Sequence, residues 1–333
     1  MPPLKTLVTP LDWGLGHATR CVPLIHAQLA QGNEVHLASS GRALALLRAT
    51  FPELPSHELP EYAVRYTRTN LYWPLLVQLP KIALAISREQ RAVKRLHQRY
   101  GFDQVISDHR YGCFVPGAFN AFITHQLHLP VGDWFGGFLA QWRHEYVIAK
   151  YFQECWVPDW EEAPGLAGDL SHPPFPKIKT RYLGPLSRLH KLDLPLVYDA
   201  AFVISGPEPQ RSIWEADIRE QVKAFPQKRF FLVQGKPETP FFQSQEQNLH
   251  LAPHLDTDDL SALFAQSACV VCRSGYSTLM DLAVTQRPAW LIPTPGQPEQ
   301  VYLAQKLGTE GLYPWSDQPD FELGKCLEKY PLQ

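Results

Sequence analysis

The sequence has no long apolar run, almost no net charge and few cysteines, and each of these absences excludes a class of protein. No stretch approaches the roughly 20 apolar residues that a membrane-spanning helix needs. The 31 basic residues are nearly balanced by 33 acidic residues, so no overall field selects nucleic acid or an anionic membrane as a partner. Six cysteines among 333 residues do not suggest a disulfide scaffold.

The C-x-x-C pattern of Cys269 and Cys272 lies inside an apolar strand, with no second cysteine pair and no histidine pair nearby. We therefore expect buried core thiols there, and we expect no metal site. We also expect no signal peptide, because Asp12 and a glycine loop interrupt any apolar run in this part of the sequence. These features predict a cytoplasmic protein.

The bulk composition predicts a two-domain globular protein. A length of 333 residues suits two domains of ordinary size, and a hydrophobic content of 45% is enough for real cores. Proline is frequent, with 31 residues, about twice its typical share. That frequency predicts many extended loops rather than disorder.

The chain opens with a βαβ unit around a glycine-rich turn at residues 11–17. A short strand at 6–9 precedes the turn, a helix follows to about Ala30, and a second strand runs through 34–38. The turn lacks the third glycine of the dinucleotide fingerprint, and no acid ends the second strand. Pro23 is tolerated only near a helix start, so we expect a distorted first turn.

Two further strands of the first half end in polar residues. Strand 104–107 is followed by Asp108, and strand 121–124 is followed by His125 and Gln126. Ligands bind at the carboxyl ends of strands in open α/β sheets. These residues are therefore candidates for a site, although Asp108 could also cap a turn.

Four other segments carry weaker predictions. The apolar run 71–77 could form an acceptor wall, a lipid-interface anchor or ordinary packing, and no lysine cluster accompanies it. An amphipathic helix is predicted at about 81–98. Residues 132–137 have the composition of a flexible acceptor loop, and the Pro/Gly-dense segment 165–195 is predicted to be a linker.

The strongest pattern begins with a predicted apolar strand at 268–272, which runs into Arg273-Ser274-Gly275 and a helix from about Tyr276. Ser274 is a good N-cap residue, and Gly275 permits a ligand to approach the backbone. The positive end of the helix attracts phosphate.

The rest of this pattern supplies contacts beyond the phosphate. Asp281 lies between one and two turns along the helix, from where its carboxylate could reach back to a ribose hydroxyl. A second apolar strand at 289–292 leads into a Pro/Gly loop with Gln297 and Gln300. The order is therefore diphosphate site, ribose acid and a polar loop for the group that the diphosphate carries.

Ser274-Gly275, Asp281 and the Gln297/Gln300 pair resemble the nucleotide-sugar signature of GT-B glycosyltransferases. The closest resemblance is to the family of the bacterial N-acetylglucosaminyltransferase that makes lipid II. Asp281 stands where those relatives typically have Glu, which weakens the predicted ribose contact. The resemblance implies an α/β GT-B architecture, with two Rossmann-like domains whose parallel sheets face an interdomain cleft. It places an acceptor-side domain at 1–190 and a nucleotide-sugar-binding domain at 191–333.

The resemblance also assigns roles to residues outside the signature. His17 matches the place of a catalytic base, with Asp108 as its partner, although His17 could instead cap its own helix. His125 and Gln126 fall on the acceptor side. The loop after the first strand of the second domain is implied to touch the diphosphate, with Gln210, Arg211 or Ser212 supplying contacts because proline replaces glycine there. The implied donor-binding residues are Gly16, Gly206, Gln210, Arg211, Leu255, Arg273, Ser274, Gly275, Tyr276, Ser277, Asp281, Gly296, Gln297 and Gln300.

The implied function is metal-independent, inverting transfer of a sugar from a nucleoside-diphosphate donor, expected to be UDP-linked, to an acceptor hydroxyl. Arg273 is expected to help stabilise the leaving diphosphate, and no cofactor is expected. The acceptor, whether lipid-linked, a glycan or a small molecule, stays open, as does peripheral contact with the cytoplasmic face of a membrane. Two alternatives remain: a UDP-N-acetylglucosamine 2-epimerase of the same fold, and a non-catalytic sugar-nucleotide-binding subunit.

Overall fold

The structure is a computed structural model that describes residues 2–62, 79–129 and 135–332. The chain divides into two compact units, Met1–Ser187 and Arg188–Gln333. The predicted apolar run at 71–77 lies outside the described residues, as does the first half of the predicted acceptor loop at 132–137, residues 132–134.

The N-terminal unit is built on a parallel sheet, seven-stranded within the described residues, in the order β3-β2-β1-β4-β5-β6-β7. This order is that of a doubly wound sheet, in which the chain direction across the sheet reverses between β1 and β4. The strands are β1 (Lys5–Pro10), β2 (Glu34–Ser39), β3 (Ser56–Glu58), β4 (Gln104–Asp108), β5 (Phe119–Ile123), β6 (Glu154–Val157) and β7 (Lys179–Tyr182). The helices are α1 (Leu15–Ala30), α2 (Gly41–Thr50), α3 (Leu79–Tyr100) and α4 (Phe135–Tyr151), with a 3-10 turn at Gly168–Leu170.

Helix α3 packs against the N-terminal unit through apolar side chains on one of its faces. Val93 on α3 is fully buried beside Val105 of β4, while Ile82 and Ile86 pack against a smaller cluster around Leu11. The predicted amphipathic helix is therefore confirmed, and it is longer than predicted at both ends.

Two expectations for this unit were wrong. Pro23 lies in the middle of α1, not in its first turn, so the helix continues through a residue that cannot donate a backbone hydrogen bond. The Pro/Gly-dense segment 165–195 is not a simple linker, because it contains β7, which pairs in parallel with β6 from Glu154↔Lys179 to Val157↔Tyr182. Edge strands tolerate such composition because only one side of their backbone must pair.

The C-terminal unit contains a second sheet, six-stranded within the described residues, in the order β10-β11-β9-β8-β12-β13. All its pairs are parallel except the antiparallel edge pair of β10 and β11. The strands are β8 (Ala200–Val203), β9 (Phe230–Val233), β10 (Ser244–Glu246), β11 (Leu249–Ala252), β12 (Val270–Cys272) and β13 (Ala289–Leu291). The helices are α5 (Gln210–Gln221), α6 (Thr257–Ala265), α7 (Tyr276–Thr285), α8 (Pro298–Thr309) and α9 (Leu323–Lys329), with 3-10 turns at Val222–Ala224 and Gln318–Asp320.

The core of the C-terminal unit includes the two cysteines of the C-x-x-C pattern. Cys269 and Cys272 are both fully buried, and the sulfur of Cys269 lies 3.4 Å from that of Cys326. Burial raises the pKa of the Cys272 thiol well above its usual range. The prediction of core thiols is therefore confirmed. Within the described residues no helix has both the length and the apolarity to cross a bilayer.

Candidate functional site

The N-terminal unit concentrates polar groups where the sheet order reverses. β1 and β4 are neighbours, and Pro10 at the end of β1 lies beside Asp108 at the end of β4. The turn after β1 leads directly into α1, which places His17 in the first turn of that helix. Such a reversal point opens a crevice at the carboxyl ends of the strands, where doubly wound proteins bind ligands.

His17 and Asp108 are in direct contact across this crevice. Nδ1 of His17 lies 2.9 Å from Oδ1 of Asp108, although the two residues are 91 positions apart in sequence. The carboxylate is fully buried, whereas the imidazole is partly exposed. The predicted pairing of these two side chains is present, and the capping alternative for His17 is wrong, because Gly14 is the N-cap residue and no side chain caps the helix.

A third residue, Arg20, joins this pair. Its Nε donates to Oδ2 of Asp108 at 2.5 Å, and its Nη2 donates to Oδ1 of the same carboxylate. Burial alone would raise the pKa of Asp108, but the positive charge of Arg20, together with the hydrogen bonds from Arg20 and His17, outweighs burial and holds this pKa far below its usual range. The anionic form of Asp108 is therefore strongly favoured. Arg20 lies three residues after His17 on the same helix face, a spacing that sequence analysis could have used.

Arg20 and Asp108 compete for the same nitrogen of His17. Nη2 of Arg20 lies 2.7 Å from Nδ1 of His17, and a guanidinium can only donate. If Nδ1 carries a proton, it donates to Asp108 and leaves Nε2 as a free base. If Nδ1 is bare, it accepts from Arg20, and the proton is on Nε2. The base-competent tautomer is thus the one in which His17 pairs with Asp108.

The surroundings of His17 favour its neutral form over the imidazolium. Burial lowers the pKa of His17, the charge of Arg20 lowers it further, and Asp108 offsets part of that effect. His109 follows β4 with a positive φ of 56°, and its ring lies 5.1 Å from that of His17, centroid to centroid. Burial, followed by the charges of His17 and Arg20, lowers the pKa of His109 well below its usual value. The ring of His125 lies 6.2 Å from that of His109, centroid to centroid, with the two planes tilted by 48°, so the predicted acceptor-side histidine does lie in this cluster.

Gln126, the other predicted acceptor-side residue, makes two backbone hydrogen bonds here, and its acceptor contact stays a prediction. Its backbone N–H is bonded to the hydroxyl of Thr124 and its carbonyl accepts from Nε2 of His144, 2.8 Å away. Gly16 lies in the first turn of α1 beside His17 and makes a carbonyl contact with the hydroxyl of Thr19.

A buried ion pair next to this cluster was not expected from the sequence. Arg110 and Glu89 are both fully buried and meet at 2.6 Å. Arg110 also donates to the carbonyl of Pro10 and to the hydroxyl of Ser40, while Glu89 accepts from the hydroxyl of Tyr62. Buried charges need such complete pairing. This network joins the ends of β1, β2 and β4 beneath a pocket of about 190 Å³ with Trp13 and Tyr62 in its walls.

The C-terminal unit has the same kind of reversal point, between β8 and β12. The loop after β12 leads into α7, which begins at Tyr276 as predicted. Gly275, not Ser274, is the N-cap residue, and no side chain caps the helix, so the predicted capping role of Ser274 is wrong. A β-carbon at Gly275 would meet only Nε2 of Gln300, at 4.0 Å. The first turn of α7, including Ser277, therefore begins beside open space, as an anion site requires.

Ser274 and Gln300 instead hold two loops together. The hydroxyl of Ser274 donates to the backbone carbonyl of Gln300 at 2.7 Å, and Oε1 of Gln300 accepts from the backbone N–H of Thr294 at 2.8 Å. The amide nitrogen of Gln300 is left beside Gly275. Gln297 is the N-cap residue of α8, and Gly296 precedes it with a positive φ of 79°. This bracing brings the loop after β13 to the start of α7.

Arg273 is buried and bonded to neighbouring loops, and its predicted role on the diphosphate stays a prediction. The side chain is 1% exposed, with Nη1 bonded to the carbonyls of Ile292 and Pro293 and Nη2 bonded to Gln318 at 2.8 Å. Its guanidinium also lies 4.0 Å above the ring of Trp214. Burial lowers its pKa to about 10, so it remains a cation that anchors the loop after β13.

The loop after β8 approaches the same region. Gly206 has a positive φ of 105°, and a β-carbon there would lie 3.5 Å from the hydroxyl of Thr294. Gln210 begins α5. Arg211 is bonded to Glu208 at 2.6 Å and donates to the carbonyl of Gly235. Its guanidinium thus fixes the loop after β8 onto the loop after β9, and diphosphate contact by Arg211 stays a prediction.

Asp281 and Leu255 complete the predicted donor residues. Asp281 is the sixth residue of α7 and is partly exposed. Its charge acts on Arg188, whose pKa burial lowers and Asp281 then raises. Leu255 lies buried just before α6, whose N-cap Asp256 accepts from the backbone N–H of Asp259.

The C-terminal unit also matches a known domain. Residues 202–326, which span β8 to α9, match the model of the glycosyltransferase family 28 C-terminal domain. A search of curated proteins finds no match to this sequence.

Solved glycosyltransferase structures are similar to this chain over nearly its whole length. MurG from Acinetobacter baumannii superposes with a TM-score of 0.58 and 12% identity, covering 98% of this chain and 89% of its own. The calicheamicin glycosyltransferase CalG4 gives a TM-score of 0.66 and 11% identity, with 99% and 90% covered. The spinosyn rhamnosyltransferase SpnG, complexed with thymidine diphosphate, gives 0.62 and 14%, with 98% and 92% covered. Identities this low show the fold alone, and that fold is the expected GT-B fold.

Proposed function

Because this chain is a glycosyltransferase of the GT-B fold with a family 28 C-terminal domain, we propose that it transfers a sugar from a UDP-linked donor to an acceptor hydroxyl with inversion. The observation that carries this proposal is the contact of 2.9 Å between His17 and Asp108. It supplies an oriented base in the N-terminal unit, and the start of α7 supplies an anion site in the C-terminal unit.

His17 is the base in this proposal. With Nδ1 protonated and donating to Asp108, Nε2 takes the proton of the acceptor hydroxyl. The acceptor oxygen then bonds to the anomeric carbon as the bond from that carbon to the phosphate oxygen breaks. The nucleoside diphosphate leaves with the bonding electrons. Attack opposite the leaving group inverts the configuration at the anomeric carbon.

The helix start at Gly275 receives the diphosphate. Helix N–H groups and the positive dipole end stabilise the charge that grows on the leaving group. The open space at Gly275 and the amide of Gln300 beside it support this placement. We propose that no metal is needed, and transfer measured in EDTA should then equal transfer measured in magnesium.

One of the similar structures, SpnG, contains a nucleoside diphosphate, because it is complexed with thymidine diphosphate. The choice of UDP for this chain follows from the resemblance at Ser274-Gly275, Asp281 and the two glutamines. Calorimetry with UDP, thymidine diphosphate and GDP tests it, and equal affinity for all three would contradict UDP selectivity.

The test of the base uses His17→Ala and Asp108→Asn. We expect His17→Ala to lower the catalytic rate by roughly 10²–10⁴-fold with UDP affinity little changed, because a general base acts on chemistry and not on donor binding. Asp108→Asn should cost less, and the double variant should cost little more than His17→Ala, because the two side chains act as a unit.

The assay incubates the protein with each of a panel of nucleotide sugars, with and without acceptor, and mass spectrometry identifies the products. A transferase releases UDP only when acceptor is present, whereas a 2-epimerase yields an isomerised UDP-sugar without one. Near-full turnover by His17→Ala with a verified acceptor would place the base elsewhere, and His125 would be tested next.

A further inference from the structure

One buried hydroxyl beside the proposed donor site lacks a hydrogen-bond partner. The side chain of Thr294, in the loop after β13, is 1% exposed, and its Oγ1 forms no hydrogen bond with any of the described residues. A buried polar group without a hydrogen bond destabilises the fold that carries it, and such groups are rare in native proteins. This hydroxyl is therefore expected to have a use that compensates for the loss.

The hydroxyl of Thr294 borders open space at the loop after β8. Gly206 in that loop is exposed and has a positive φ of 105°. A β-carbon at Gly206 would lie 3.5 Å from Oγ1 of Thr294 and, among the described residues beyond its chain neighbours, would meet no other atom within 4 Å. An oxygen atom that enters this space has to come only slightly nearer to reach hydrogen-bond distance. The hydroxyl is thus within reach of a ligand that passes over Gly206.

Gln300 links this hydroxyl to the start of α7. Its Oε1 accepts from the backbone N–H of Thr294 at 2.8 Å, and its Nε2 would lie 4.0 Å from a β-carbon at Gly275. The loops after β8, β12 and β13 therefore meet around one region, at the point where the order of the second sheet reverses. Ligands bind at such a point in doubly wound sheets.

The charge of this region favours an anion. The guanidinium of Arg273 is bonded to the carbonyls of Ile292 and Pro293, the two residues before Thr294. The first N–H groups of α7 add the positive end of a helix dipole. A hydroxyl beside these groups can donate to a phosphate oxygen, and a hydrogen bond to an ionised group is stronger than one between neutral groups.

From this arrangement we propose that Thr294 is a diphosphate-binding residue, whose hydroxyl donates to a phosphate oxygen of the donor. The inference rests on the proposed function, because it needs a nucleoside diphosphate at the start of α7. Thr294 lies outside the nucleotide-sugar signature, which consists of Ser274-Gly275, Asp281 and the two glutamines. Binding of the donor gives the buried hydroxyl its hydrogen-bond partner.

The test compares Thr294→Val, which keeps the shape of the side chain and removes its hydroxyl, with Thr294→Ser, which keeps the hydroxyl. Calorimetry with UDP should show a loss of affinity of about tenfold or more for Thr294→Val and little loss for Thr294→Ser, because only valine removes a hydrogen bond to an ionised group. The melting temperature of Thr294→Val without UDP should not fall, because an apolar group replaces a polar group that has no partner.

Thr180→Val is the matched control, because Oγ1 of Thr180 on β7 is also buried and has no hydrogen-bond partner among the described residues. It should bind UDP as the wild type does. The inference is overturned if Thr294→Val binds UDP with wild-type affinity, if it loses affinity only for UDP-sugars, or if its melting temperature without UDP falls sharply. A wild type that binds UDP, thymidine diphosphate and GDP not at all would overturn the proposed function as well.

A separate observation, the three-way contact at His17, carries a second inference. Arg20 bonds both oxygens of Asp108 and also touches Nδ1 of His17. The groups that face His17 are Arg20 on α1, Asp108 on β4, His109 after β4 and His125 after β5. Only Asp108 among them favours the imidazolium; the cation of Arg20 opposes it.

We infer that Arg20 is a positioning residue that keeps the proposed base His17 neutral while it holds Asp108 in place. This inference rests on the proposed role of His17. Without Arg20, the buried carboxylate would have His17 as its remaining charged partner in this cluster and would draw a proton onto the imidazole. A protonated His17 cannot accept a proton from the acceptor.

Arg20→Gln should therefore move the acidic limb of the profile of kcat/KM against pH upward by about one pH unit. Arg20→Lys, which keeps the charge, should restore most of the wild-type profile, and Arg91→Gln, on the exposed side of α3, should leave it unchanged. A purely structural role would lower the rate at all pH values without moving the limb, which would overturn the inference.

Nitrogen NMR of the histidines in the wild-type protein gives a test that needs no active variant, with His17→Gln to assign the signal. His17 should titrate below about 6.5, the ordinary histidine value. A His17 that titrates above this value would overturn the inference even if Arg20→Gln fails to fold. Absence of sugar transfer with a low His17 pKa would instead count against the proposed function and leave the role of Arg20 standing.

Discussion

At the scale of single residues, the proposed donor site at the start of α7 depends on one glycine and a few polar side chains. Gly275 has extended backbone angles that any residue can adopt, and a side chain there would point into open space. Glycine is therefore favoured here because it leaves space for a ligand, and not because the backbone needs a conformation that other residues avoid.

Gly275→Val should weaken UDP binding by at least about tenfold, or about 1.4 kcal/mol, because the side chain occupies the space of the diphosphate. Gly275→Ala should give a smaller loss. Neither variant should lower the melting temperature much, since the nearest neighbour of an added β-carbon is 4.0 Å away. Calorimetry measures the affinity, and an unchanged value for Gly275→Val would remove the donor site from this turn.

Asp281 and the two glutamines should divide donor recognition. Asp281→Ala should cost donor affinity whatever the sugar, because a ribose is common to all donors. Gln297→Ala should change the preference among sugars while UDP binding stays nearly intact. Gln300→Ala should also change this preference, and it should affect UDP binding as well, because Gln300 braces Thr294 beside Gly275. Competition assays with UDP and several UDP-sugars measure this division, and equal UDP losses in all three variants would contradict it.

At the scale of secondary-structure elements, Arg273 links the end of β12 to the loop after β13. The cation is enclosed by two backbone carbonyls, the amide of Gln318 and the face of Trp214. A buried cation is stable only when such partners surround it. These partners explain why the side chain of Arg273 points into the protein, although the next residue, Ser274, lies beside the open start of α7.

Arg273→Met should destabilise the C-terminal unit by about 3 kcal/mol, because the carbonyls and Gln318 lose their donor in a buried place. Thermal unfolding with and without UDP measures the effect. Lys325→Met, a change of an exposed cation on α9 that is bonded to Glu322, is the control and should cost less than about 1 kcal/mol. A normal melting temperature with lost UDP affinity would instead support a direct role of Arg273 at the diphosphate.

At the scale of the whole molecule, the two units should differ in their response to acid. Burial lowers the pKa of His144 to about 4, and burial likewise lowers the pKa values of His17 and His109. All three histidines lie in the N-terminal unit. In the unfolded chain each would take up a proton near pH 6.5, while the folded form resists it.

The sign of the effect follows from these lowered values. The contribution of these histidines to the free energy of unfolding is fully present above about pH 6.5. It is lost progressively as the pH falls toward 4, because protons bind to the unfolded state before they bind to the folded state. For His144 alone the loss at pH 5 is about 2 kcal/mol. Calorimetric scans at pH 7 and pH 5 should show that the N-terminal unit loses more stability.

His144→Gln should flatten this dependence without removing it, because His17 and His109 still contribute. The side chain of His144 bonds to the hydroxyl of Tyr111 and the carbonyl of Gln126, so the variant is also expected to be less stable at pH 7. An N-terminal unit that melts at the same temperature at both pH values would contradict the buried, neutral state of these histidines.

The sequence by itself determined the elements whose signals are local. Apolar runs ended by glycine turns predicted β1 with α1 and β12 with α7, because strand periodicity and a helix start depend on neighbouring residues. The pairing of His17 with Asp108 was also within reach, since both follow parallel strands and such ends meet at one edge of a sheet.

Only the tertiary structure decided where the charged side chains point. Arg20 and Asp108 are 88 residues apart in sequence. Arg273 points into the protein because its guanidinium contacts Trp214 and Gln318, and neither of these residues is near it in sequence. The Pro/Gly-rich segment 165–195 contains a strand, β7, because the edge of β6 provides backbone groups for it to pair with. The orientation of a charge and the pairing of an edge strand are set by distant partners, so no local pattern contains them.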